Sequence, residues 1–194
     1  MLLAVALPAV GSACPFCSAV SQTLSQEIAG TDVAVIARLV GLPPEAESDD
    51  PAGLDLDDPN AGMSQFEVLE VIRGAEAPPL GSTIQVVYFG SDQEQKRFLI
   101  SGLAGAKIDW TTPLPLSERG VEYVKLLGSL PEEGAERLAF FLDYLEDEDA
   151  LLAQDAYDEF GRAPYEVVVG VREQMDRQKL VAWIEDPLVG PTRR

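Results

Sequence analysis

Three features of this 194-residue chain predict an α+β fold, with a small antiparallel β-barrel or sheet followed by a short α-helical region. As far as Trp110 the apolar residues come in β-branched or alternating runs, whereas from Leu116 onward they recur at the three- and four-residue spacing of helices. Gly and Pro separate the strand candidates and no helical crossover lies between them, which favours antiparallel pairing. The later part is cut into short segments by capping residues and stops.

Taken in order, Met1 to Ala13 reads as the apolar core and small-residue exit of a secretory signal, with Gly11 and Ala13 suiting cleavage before Cys14. The run lacks the usual basic residues ahead of it, and a buried N-terminal strand is the alternative. Residues 14–30 then hold Cys14-Pro15-Phe16-Cys17 and a helix expected from Ser18 to Ala29, with Val20, Leu24 and Ile28 on one stripe and Gly30 as its stop.

Residues 31–112 form the expected β domain. Thr31 to Leu42 is a nearly continuous β-branched run, consistent with a buried strand. Pro43 to Gly62 concentrates four prolines and seven carboxylates, so self-repulsion and proline make it an extended, solvated loop. A calcium loop would need a third ligand where Pro59 stands. Further strands are expected over Gln65–Arg73, with a phase slip that implies a bulge, and over Thr83–Phe89, Arg97–Ser101 and Lys107–Trp110.

Residues 113–194 form the expected helical domain. Ser117 caps a helix reaching Leu127, and Pro131 with Glu132-Glu133 opens a second that carries Leu138, Phe141, Leu142 and Leu145 inward. Asp149 caps a third through Phe160. Pro164 starts a fourth that runs to Met175, and Asp176 caps a fifth that turns Leu180, Trp183 and Ile184 inward. Short helices with tight polar turns stack as hairpins in the manner of HEAT-like repeats.

Composition excludes several functions. A net charge of -19 repels phosphate backbones and anionic lipid, so nucleic acid is not an expected partner. The chain has no histidine, which rules out Ser-His-Asp and Cys-His catalysis. Beyond the leader, no apolar run approaches the roughly 20 residues that span a bilayer. Two thiolates without imidazole make a poor zinc site, and Ser18 stands where a c-type haem motif needs His, so no metal or cofactor is expected. The Glu146-Asp147-Glu148-Asp149 run fits a helix-helix turn better than a glycosidase carboxylate pair. Trp110 and Trp183 fit packing better than a sugar platform.

Two resemblances extend this reading. Phe66-Glu67-Val68-Leu69-Glu70-Val71-Ile72-Arg73-Gly74, then Gly81-Ser82-Thr83-Ile84-Gln85-Val86, then Arg97-Phe98-Leu99-Ile100, resembles the strand pattern F-x-V-x-x-V-x-K-G, G-x-x-I-x-V and Y-L-I/V of netrin-like, TIMP-related domains. With Asp32 to Val40 the match covers residues 31 to 102 and implies an OB-like barrel. Arg73 replaces the usual Lys, and the netrin-like disulfides are missing. In TIMP-like inhibitors an N-terminal cysteine enters a metalloprotease site, a role Cys14 would take after cleavage. Taken whole, the chain resembles exported proteins of planctomycete-type bacteria, in which a Cys-Pro-Phe-Cys-Ser-Ala start precedes a sheet segment and a helical region like Leu138 to Asp147.

Cys14 and Cys17 are the candidate site residues. Their string is also that of a glutaredoxin active site, where the first thiol sits at a helix N-terminus that stabilises its thiolate. A thioredoxin-like fold needs a strand before the motif, where the signal reading places a leader, so a structural disulfide or N-terminal tether is the first expectation. Redox exchange, with Cys14 as nucleophile and Cys17 as resolving thiol, is the second. Lipidation of Cys14 is a lesser expectation, because Gly11 stands where a lipoprotein signal places Leu. The chain therefore reads as a secreted or periplasmic, cell-envelope binding or adaptor protein whose partner is another protein. A thiol-disulfide oxidoreductase and a protease-inhibitor-type barrel are the alternatives.

Overall fold

The computed structural model describes residues 21–42, 62–90 and 96–188. The fold is α+β, as expected: a nearly closed, barrel-like antiparallel sheet with helices packed on its outer face. The strands are β1 (Val33–Gly41), β2 (Met63–Arg73), β3 (Thr83–Val87), β4 (Arg97–Leu103), β5 (Asp109–Trp110) and β6 (Leu114–Leu116). They pair in the order β3-β2-β1-β4-β5, and β6 also pairs with β4.

The β-branched run of β1 is continuous because both of its faces are covered. Val33, Val35, Ala37 and Leu39 point into the barrel, where they meet Phe66, Val68, Ile84, Val86, Phe98 and Ile100. Ala34 and Ile36 point the other way and, with Leu99, form the floor on which the helices rest. Inside the barrel Phe66, Tyr88 and Phe98 meet edge to face at 5.3–5.7 Å, the geometry that ring quadrupoles favour. The phase slip expected in β2 is real: the β1–β2 register shifts at three places. Gly74 ends β2 at φ 102, and a Cβ there would strike the Asp32 carbonyl.

β6 is an addition to the sequence reading. Pro115 disguises it, but an outer strand tolerates proline where the missing N–H would face away from the ladder.

The helices are α1 (Leu24–Ala29), α2 (Glu118–Leu127), α3 (Ala135–Leu142), α4 (Ala150–Arg162), α5 (Tyr165–Gly170) and α6 (Arg177–Glu185), with a 3-10 turn at Arg172–Gln174. Ser117, Asp149 and Asp176 cap α2, α4 and α6 as the sequence implies. Ser117 Oγ also lies 2.5 Å from Asp149 Oδ2, which ties the starts of α2 and α4 together.

Three expected helices differ in extent. Thr23 and Gln26 form a capping box that starts α1 at Leu24, so Ser21 to Thr23 are not helical. α3 begins only after Gly134, whose φ of 101 breaks any helix running from Pro131. The segment expected from Pro164 to Met175 divides after Gly170, because Val171 leaves helical geometry and is fully buried.

Candidate functional site

Cys14 and Cys17 lie outside the described residues, as do residues 43–61 of the acidic loop. Among the described residues no group of three or more Cys, Asp or Glu side chains is arranged to hold a metal ion. The Glu146–Asp149 run is divided among structural tasks. Glu146 pairs with Lys179, Asp147 with Arg119, and Asp149 caps α4. Trp110 packs against the barrel core, and Trp183 lines a small cavity of about 140 Å³ with Leu142, Met175 and Leu180.

A larger concavity lies elsewhere. α1, the end of β2, the α2–α3 connection and the α4–α5 junction enclose an open groove of about 980 Å³. Its apolar lining comes from Ile28, Ile72, Leu127, Leu130, Leu138 and Val167, each contributed by a different turn of chain. Polar groups at its base are already engaged with one another. Arg137 spans it, 2.9 Å from Glu159 and 2.8 Å from Ser25 Oγ, with its guanidinium 5.3 Å from the Phe141 ring centre. Arg162 donates to the Ser21 carbonyl at 2.9 Å. Both members of the Arg137–Glu159 pair are mostly buried, so this pair fixes the groove floor more firmly than a surface ion pair would. On the lips stand Glu132, Glu133 and Arg73.

Behind the α1 wall lies a carboxylate that sequence reasoning missed. Asp155, 5% exposed, accepts the Leu24 N–H at 2.7 Å and the Tyr123 hydroxyl at 2.6 Å. One side chain of α4 thereby joins α1 and α2. Burial pushes the Asp155 carboxyl up to about 6, opposed by its two hydrogen bonds and assisted by nearby Glu159 and Asp158. The same burial, next to that carboxylate, drives the Tyr123 phenol far upward, so it remains a donor. The available signal was position: Asp155 follows Leu152 by three residues and precedes Ala156, placing it on the buried stripe of α4.

No protein-family model matches the chain, and no curated protein matches it significantly.

Proposed function

We propose that this chain is an exported, non-enzymatic binding module of the cell envelope, whose groove receives a segment of another protein. The 980 Å³ groove carries this reading, because Ile28, Ile72, Leu127, Leu130, Leu138 and Val167 line it and its Arg137 and Glu159 are paired with each other. The occupant is a protein segment presenting apolar side chains next to lysine or arginine. Glu132 and Glu133 stand on the lip, and acidic residues outnumber basic ones by 18 to 7 between Ser117 and Leu188. The apolar run Met1–Ala13 and the adjacent Cys14/Cys17 pair support placement outside the cytoplasm. The barrel-like sheet is compatible with a netrin-like β half, and the paired helices with HEAT-like hairpins.

Labelled peptides combining leucine and valine with lysine, titrated by fluorescence anisotropy, test the groove against the same peptides carrying glutamate. The lysine set should bind, more tightly at low salt, and the joint Glu132→Lys and Glu133→Lys variant should weaken it about tenfold. Equal binding of the glutamate set, or binding indifferent to Leu130→Asp, would refute the reading. Export is tested separately by the mass of the protein recovered from cells, which should begin at Cys14.

A further inference from the structure

The outer edge of β3 lies in an uncharged stretch of the chain. No charged residue occurs between Glu76 and Asp92, in a sequence where 24% of residues are charged. Natural edge strands are usually guarded by charge, proline or extreme shortness. The opposite edge follows that rule: β5 has two residues, one of them Asp109, and Lys107 lies just before it. Among the described residues β3 has no such guard.

Its ladder shows which groups are available. Ser82 accepts from Val68 and Tyr88 donates to Gly62, while Ile84 and Val86 face Phe66 and Ser64. Even-numbered residues therefore bond to β2. The N–H and C=O groups of Thr83, Gln85 and Val87 point away from the sheet, and all three residues are exposed.

We propose that β3 is a self-association edge, pairing antiparallel with β3 of a second copy about a two-fold axis at Gln85. This register sets Gln85 opposite Gln85 and Thr83 opposite Val87, for about six main-chain hydrogen bonds. Ile84 and Val86 of both copies then continue one apolar layer. The register also matches the strand ends. Phe89, 72% exposed, falls opposite Gly81, where a side chain would meet nothing within 4 Å; Leu80, 66% exposed, lies next to it. Charge selects the same edge: two chains of net charge -19 approach at least cost where neither carries charge. The uncharged, unguarded edge argues for a second copy over a charged foreign strand. This inference is independent of the groove.

Sedimentation equilibrium of the purified protein across micromolar concentrations, in low and high salt, tests the pairing. The expected result is a reversible shift toward twice the single-chain mass, stronger in high salt as repulsion is screened. Gln85→Glu, which places like charges across the axis, should weaken association at least tenfold. Gln85→Pro, which removes an N–H that the single chain does not use, should abolish it. As a check that needs no variant, amide exchange at Thr83, Gln85 and Val87 should slow as concentration rises. A single-chain mass throughout would overturn the proposal. So would a dimer that both variants leave intact, or one in which those three amides exchange as fast as in the monomer.

Discussion

The barrel half and the helical half solve the same packing problem with different margins. Barrel residues Val33, Val35, Phe66, Val68, Phe98 and Ile100 are at most 1% exposed. In the helical half burial fades along the chain. α2 and α4 bury five residues each, whereas α5, the 3-10 turn and α6 bury none. Hydrophobic stabilisation follows the apolar area removed from water, so local stability should fall from the sheet toward α6.

The largest expected effect breaks the stronger half. Phe98→Ala removes a ring at the centre of the Phe66–Tyr88–Phe98 cluster and should cost about 3–5 kcal/mol in urea denaturation. A cost near 1 kcal/mol would mean that the barrel collapses onto the gap, and that its core is no firmer than the helical one.

The second effect lies at the seam. Burial lifts Asp155 from 3.8 to about 6, so its contribution to stability is fully present below about pH 4 and is lost as pH rises through 6. Asn keeps both contacts, accepting from Leu24 and donating to Tyr123, without the charge. The stability of Asp155→Asn relative to wild type should therefore rise between pH 4 and 7, by roughly 3 kcal/mol at most. Denaturation at both pH values measures this, and a flat difference would show that the folded site holds the carboxylate as comfortably as water does.

The smallest effect belongs to the end of the chain. Trp183→Ala should cost about 1 kcal/mol, well under the several kcal/mol typical of a buried tryptophan, because α6 buries no residue and Trp183 lines an open cavity beside Leu180 and Lys179. Its amides should also be the first helical ones to exchange. Protection equal to that of β1 would erase the proposed gradient.

Much of this architecture was legible because it depends on local chemistry. The period change near Leu116, the caps at Ser117, Asp149 and Asp176, and the buried run of β1 all act over a few residues. The failures were also local in cause. Gly134 and Val171 adopt backbone conformations that helical periodicity does not register, and Pro115 conceals a strand that only its partner β4 reveals. The groove was not legible at all, because Ile28, Ile72, Leu130 and Val167 are far apart in sequence.

By itself, then, the order of residues determined where strands give way to helices and which faces are apolar, because pleat and helix periods read directly from side-chain polarity. Tertiary structure alone decided that Asp155 would be buried as the joint between α1, α2 and α4, and that β3 would form an outer edge. Both outcomes depend on which distant segments exclude water from one another, a property of the assembled sheet and helices that no short stretch of sequence contains.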